Sequence, residues 1–156
     1  MLAISKVLKN EQETQHLGGC LAQVIDAPLV LSFRGDLGAG KSTLVRAMLR
    51  ALGVTGSIKS PTFSLVESYL RPNNQWLHHF DLYRIEDDTE LDLIGFRDYF
   101  SSSTVCCIEW PERAGSQLPA IDVDFSLTLQ TSGRLLEILA YSESGHAVVT
   151  HLTTAR

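Results

Sequence analysis

The sequence predicts an α/β fold: a single domain over residues 1–156 in which a mixed parallel and antiparallel central sheet is flanked by helices. Three observations lead there. Apolar runs of strand length alternate with helical patterns, the rhythm of strand–helix units. Two pairs of strand-like segments are joined by turn residues alone, which makes hairpins and so antiparallel pairing. No internal repeat, low-complexity tract or linker-like stretch divides the 156 residues, and 44% of them are hydrophobic. That is enough apolar side chain for one core.

The elements follow in chain order. Asn10-Glu11-Gln12-Glu13 opens a helix, with a capping residue and a glutamate three positions later. Leu17, Cys20, Leu21, Val24 and Ile25 then recur at helical spacing as one apolar stripe, and Pro28 follows. Leu29–Phe33 reads as a strand, and Lys41–Leu52 as a helix with Leu44, Ala47, Met48 and Ala51 on one side and Gly53 as its cap. Residues 53–62 are loop-like. Ser64–Tyr69 and Trp76–Phe80 form a hairpin across Arg71-Pro72-Asn73-Asn74. Asp87, Asp88 and Thr89 offer caps for one helix reaching about Phe100, which Ser101-Ser102-Ser103 stops. Val105–Ile108 is a further apolar run. Ile121, Val123, Phe125, Leu127 and Leu129 alternate as a strand with one buried face, and the chain returns through Thr131-Ser132-Gly133 as a strand over Arg134–Ala140.

Composition narrows the function. The net charge is −5, from 13 basic and 18 acidic residues. The first half is net basic and the second net acidic, so the second half suits a basic protein partner. No Lys/Arg cluster is interleaved with aromatics, which argues against strong nucleic-acid binding by the chain alone, since phosphate neutralisation dominates such affinity. No apolar run approaches the ~20 residues of a membrane span, and the first residues lack the pattern of a signal peptide. The expectation is a cytoplasmic protein without a membrane partner. Cys20, Cys106 and Cys107 lie among apolar residues without a CxxC, and read as reduced core thiols. His78 and His79 read as strand residues, because no His or Cys pattern partners them.

The chemistry concentrates at Gly35-Asp36-Leu37-Gly38-Ala39-Gly40-Lys41-Ser42, which matches G-x-x-x-x-G-K-[ST] at every fixed position. Such a match arises by chance in roughly 1 in 200 chains of this length, and here an apolar strand precedes it and a helix follows. The glycines let backbone N–H groups turn toward phosphate oxygens, and the following helix adds the positive end of its dipole. Lys41 suits the β- and γ-phosphates, and the Ser42 hydroxyl suits Mg²⁺. A phosphate loop binds, but hydrolysis also needs carboxylates to hold metal and place water. Asp81 follows the run Trp76–Phe80, and Glu109 follows Val105–Ile108. An acidic residue at a strand end is where such a ligand belongs. Thr62, after Pro61, has the form of a switch-loop hydroxyl. Trp110 reads equally as a core anchor or a contact residue. From the residues alone, a small-molecule kinase and a non-catalytic nucleotide switch stay open beside an ATPase.

Four segments together resemble the TsaE (YjeE) family of small bacterial P-loop ATPases: Gly35–Thr43, Lys59-Ser60-Pro61-Thr62-Phe63, His79-Phe80-Asp81-Leu82-Tyr83-Arg84 and Glu109-Trp110-Pro111-Glu112. The first is common to P-loop NTPases; the other three are far more specific. The resemblance implies a P-loop NTPase domain that binds ATP with Mg²⁺ and hydrolyses it slowly alone. It implies work with TsaB and TsaD in forming N6-threonylcarbamoyladenosine at tRNA position 37, with tRNA contacted mainly through that complex and the ATPase resetting it between turnovers. By matching positions, Lys41, Asp81 and Glu109 would be catalytic. Ser42 and Glu109 would hold the metal, and Asp81 would lie near the metal or the attacking water. Asp36, Gly38, Ala39, Gly40, Lys41, Ser42 and Thr43 would bind the nucleotide, with Glu11 and Arg134 touching it from outside the loop. Thr62 would belong to the switch, and Trp110 would flank the nucleotide or the partner face. Ser42 stands where the family often has threonine, and either hydroxyl serves.

Overall fold

The computed structural model describes residues 2–58, 61 and 64–154. Its elements are β1 (Leu2–Leu8), α1 (Glu11–Ala22), β2 (Leu29–Arg34), α2 (Lys41–Ala51), β3 (Val66–Leu70), β4 (Trp76–Asp81), β5 (Thr104–Glu109), β6 (Val123–Leu129), β7 (Arg134–Ala140) and α3 (Glu143–Thr154). The strands make one seven-stranded sheet in the order β1-β7-β6-β2-β5-β4-β3. β6, β2, β5 and β4 run parallel, while β7 on β6, β1 on β7 and β3 on β4 are antiparallel. The α/β class and the mixed sheet are therefore as the sequence predicts.

Alternation along the strands divides the interior into two cores. Leu29, Leu31 and Phe33 of β2 join Leu17 and Leu21 of α1, Leu44 and Met48 of α2, and Val148 of α3 on one face. On the other face Cys106 and Ile108 of β5 meet Leu91, Phe96 and Ala114, from short 3-10 segments. Every residue of β5 is buried, which is why 105–108 reads as an unbroken apolar run without alternation. The three cysteines are free and buried. Burial pushes the Cys106 thiol up to about 12 and the Cys107 thiol well above its usual range.

Local signals explain most boundaries. The Asn10 side chain accepts from Glu13 N at 2.9 Å while Glu13 Oε1 accepts from Lys9 N at 3.0 Å, so the two ends of the α1 start bind each other. The structure departs from expectation in three places. The single helix expected over 87–100 is two 3-10 turns, Asp88–Ile94 and Phe96–Tyr99, separated by Gly95 at φ 65°. A left-handed residue ends a helix, so the Asp87 cap serves the first turn only. β1 and α3 were not anticipated. α3 starts where Ser142 Oγ accepts from Gly145 N at 3.0 Å and donates to Asp122 Oδ1 at 2.6 Å, which ties the helix to the start of β6. Among the described residues no helix is long and apolar enough to cross a membrane.

α1 and α2 approach closely at Gly18, where an added Cβ would stand 2.6 Å from Ala47 Cβ and 2.9 Å from Met48 N. At the neighbouring Gly19 an added Cβ meets nothing within 4 Å. The same substitution at adjacent positions should therefore act with opposite sign. Gly19→Ala should stabilise by about 0.5–1 kcal/mol, by lowering the entropy of the unfolded chain. Gly18→Ala gains the same term but loses more to overpacking, which costs ~1–3 kcal/mol. Thermal unfolding checks it: Tm should rise for the first and fall for the second.

Candidate functional site

Three parallel strands end side by side. Asp81 of β4 stands opposite Glu109 of β5, and Glu109 stands opposite Phe33 of β2. Both carboxylates thus sit at the carboxyl edge of the parallel strands, where ligands bind in open α/β sheets. From β2 the chain enters the glycine loop and then α2. Gly40, at φ 107° and ψ 11°, is the last residue before α2, and no side chain caps the helix start. Only glycine takes that conformation without strain. The first N–H groups of α2 are left facing the space beside the loop, at the positive end of the dipole.

The side chains below the loop hold one another. Ser42 Oγ lies 2.9 and 3.0 Å from the two carboxylate oxygens of Glu109. His79 Nε2 lies 2.5 Å from Glu109 Oε2. Glu109 is 2% exposed and Asp81 6%. Asp81 Oδ1 accepts from Tyr83 N at 3.0 Å. Lys41 folds back on its own loop, donating to the Gly35 carbonyl and, at 3.1 Å, to the Asp36 carbonyl. Its ammonium is 4.5 Å from the centroid of the Trp110 ring. Burial pushes Lys41 below the usual lysine range, while the Glu109 and Asp81 carboxylates pull it back up.

A cavity of about 480 Å³ joins these groups. Its floor is formed by Gly38, Ala39, Gly40, Lys41, Ser42 and Thr43, with Asp81 and Glu109 beside them. Its far side is formed by Glu11, Arg46 and Arg134 together with Leu8, Lys9 and Thr14. Arg134 braces the loop from β7: its Nε donates to the Ala39 carbonyl at 3.0 Å and its Nη2 to the Gly38 carbonyl at 3.3 Å. The structure thus brings together every residue expected at the site except three. Asp36 is exposed and does not line the cavity; only its backbone takes part, through Lys41. Trp110 is absent from the lining and reaches the site through Lys41. Thr62 lies outside the described residues.

Trp110 itself is half-buried, with left-handed backbone at φ 58° and ψ 52°. Such a conformation costs a non-glycine residue about 1–2 kcal/mol, and it turns the ring between two neighbours. One is Lys41; the other is Tyr83, with ring centroids 5.0 Å apart. The Arg113 guanidinium lies 5.9 Å from the Tyr83 ring. Sequence reading missed His79, Lys9, Thr14 and Arg46 as members of the site. For His79 a signal existed: it and Asp81 are two residues apart on a strand and so share a face.

The donor set fits the expected ligand. Backbone amides at a helix start favour a polyphosphate. A hydroxyl beside a carboxylate is an all-oxygen pair of the kind Mg²⁺ accepts alongside phosphate and water. Among the described residues no group of three or more His, Cys, Asp or Glu is placed to hold a metal with protein ligands alone.

Comparison with known proteins gives the family. The family model described as threonylcarbamoyl adenosine biosynthesis protein TsaE matches residues 8–136. The tRNA threonylcarbamoyladenosine biosynthesis protein TsaE of Haemophilus influenzae is 34% identical over 154 residues, covering 96% of this chain and 97% of that protein. The protein of the same name from Bacillus subtilis is 34% identical over 147 residues, covering 88% and 91%. The crystal structure of Bacillus subtilis YdiB superposes with a TM-score of 0.80 at 25% identity, over 97% of this chain and 95% of that one. The family model spans the glycine loop, both strand-end carboxylates and the start of β7, and by that match this chain belongs to the TsaE family, whose members are named for tRNA threonylcarbamoyladenosine biosynthesis.

Proposed function

We propose that the chain is a cytoplasmic ATPase subunit that binds Mg·ATP in the 480 Å³ cavity and hydrolyses it slowly by itself. In this reading it serves the formation of N6-threonylcarbamoyladenosine at tRNA position 37. It acts with TsaB and TsaD and resets that complex between turnovers, while tRNA is contacted mainly through the partners. The observation that carries the reading is the Ser42–Glu109 contact at the mouth of the phosphate loop, with Asp81 in register beside it, in a chain of the TsaE family.

The residues divide the work. Backbone amides of Gly38–Thr43 receive phosphate oxygens. Lys41 exchanges the carbonyls of Gly35 and Asp36 for the β- and γ-phosphates. Ser42 and Glu109 would hold Mg²⁺, which when bound neutralises charge on the transferring phosphoryl group. Asp81, buried and held by the Tyr83 amide, orients water next to Glu109. Arg134 keeps the loop carbonyls turned away from the phosphates. Arg113 is committed to the Ile85 carbonyl at 3.0 Å. In this reading a partner completes the site, and hydrolysis should accelerate when partners bind.

Three outcomes test this. Lys41→Ala should weaken Mg·ATP binding in calorimetry by about 10- to 100-fold, the worth of a charged hydrogen bond of ~1.5–3 kcal/mol; unchanged affinity would remove the phosphate-loop assignment. With the TsaB and TsaD partners and tRNA, wild-type chain should sustain modification over many turnovers, and Glu109→Ala or Asp81→Ala should stop it while ATP binding persists. Continued turnover with either variant would make the chain a non-catalytic switch. In a Trp76→Phe background, Trp110 emission should change on adding Mg·ATP, because Lys41 leaves its ring; emission that ignores nucleotide would mean that Lys41 stays folded back.

A further inference from the structure

One buried polar group lies just behind the proposed metal ligands and is left without a task by the roles above. His79 is fully buried on β4, two residues before Asp81 on the same face of the strand. Its Nε2 meets Glu109 Oε2 at 2.5 Å, while its Nδ1 has no hydrogen-bond partner among the described residues. The adjacent His78 is different: its Nδ1 pairs with Ser68 Oγ at 2.7 Å, and its ring lies between Trp76 and Tyr99. His79 is thus a core residue whose ring spends its polarity on one atom. A buried, unpaired ring nitrogen costs stability, and an aliphatic residue would fill the space without that cost. Packing does not account for an imidazole here; the contact with Glu109 does.

We propose that His79 is a positioning residue that fixes the Glu109 carboxylate for the cation. A carboxylate accepts, so the ring carries its proton on Nε2 and donates to Oε2. Held at Oε2 by the ring, the carboxylate cannot spin about its last torsion, and both of its oxygens stay beside Ser42 Oγ, at 2.9 and 3.0 Å. Ser42 and Glu109 are thereby set as a pair before any ligand arrives. Metal-ligating groups commonly depend on such outer partners, whose loss costs 10- to 100-fold in metal affinity or activity. The role rests on the Mg·ATP reading given above, and its test separates the two.

The measurement is nucleotide affinity with excess Mg²⁺ and again with EDTA, by calorimetry, on wild type and on His79→Leu, His79→Asn and His79→Gln. Gln places its amide nitrogen near the position of Nε2; the shorter Asn does not. Wild type should bind ATP more tightly with Mg²⁺. His79→Leu and His79→Asn should lose that tightening by 10-fold or more while affinity in EDTA stays within about twofold, and His79→Gln should recover most of it. The Mg²⁺ concentration for half-maximal hydrolysis should rise in parallel. A wild-type tightening kept by His79→Leu would overturn the role. So would equal losses in Mg²⁺ and in EDTA with no recovery in His79→Gln, which marks a merely structural residue. Should His79→Leu not fold, the Asn and Gln variants decide, and equal behaviour of the two counts against the proposal. Wild type that binds no ATP in either condition would instead sink the Mg·ATP reading itself.

Discussion

The parallel register of β4, β5 and β2 is the constraint on which the site depends. Asp81, Glu109 and Phe33 lie at one level across three neighbouring strands, and the glycine loop leaves the same edge two residues later. A one-residue slip of β5 would turn Glu109 to the other face of the sheet, away from α2. What prevents it is burial on both sides: Val105 and Cys107 belong to the core under the helices, and Cys106 and Ile108 to the core under the 3-10 turns. Two packed faces fix the register more firmly than hydrogen bonds alone. The precision of the polar site is inherited from apolar packing beneath it.

Lys41 illustrates how the loop manages its own charge. A buried ammonium is costly unless paired, and this one is satisfied by two loop carbonyls and the Trp110 ring. Those are neutral acceptors, which a phosphate oxygen outcompetes. In the proposed reading the loop closed on itself in this way opens when those contacts exchange for phosphate oxygens. The backbone strain at Trp110, φ 58°, maintains the aromatic side of this arrangement, and Tyr83 supports the ring from the HFDLYR segment. Three of the four motif segments noticed in the sequence are in this way physically continuous through Lys41, Trp110 and Tyr83.

Much of this was legible in the sequence because its causes are local. The glycine loop before α2 is specified by glycines and a lysine within eight positions, and the strand-end acidic residues follow apolar runs. The α1 start was readable from Asn10 and Glu13 alone. What escaped reading depends on partners far away in the chain. β1 breaks its own alternation with Lys6, which pairs with Leu136 at the sheet edge. α3 contains Gly145 and several threonines, poor helix formers, and is held by Asp122 from before β6. The helix expected over 87–100 failed at Gly95, whose left-handed conformation is decided by the turn and not by the flanking caps. His79 looked like an ordinary strand histidine: its place two residues before Asp81 put it on the site's face, but only the pairing of β4 with β5 brings Glu109, thirty positions on, to its ring.

The charge balance of the cavity also bears on how an anion and a cation would be held together there. Its floor pairs amides that favour an anion with two nearly buried carboxylates that repel one. A polyphosphate entering alone gains from the amides and Lys41 but faces Asp81 and Glu109. A divalent cation entering alone gains from the carboxylates but meets Lys41 and the positive end of α2. Each ligand removes the electrostatic objection to the other, so in the proposed reading their affinities are coupled, and by linkage the coupling is the same in both directions. A residue that fixes Glu109 acts on that coupling more than on the phosphate grip, which is set by the loop backbone and would persist without it.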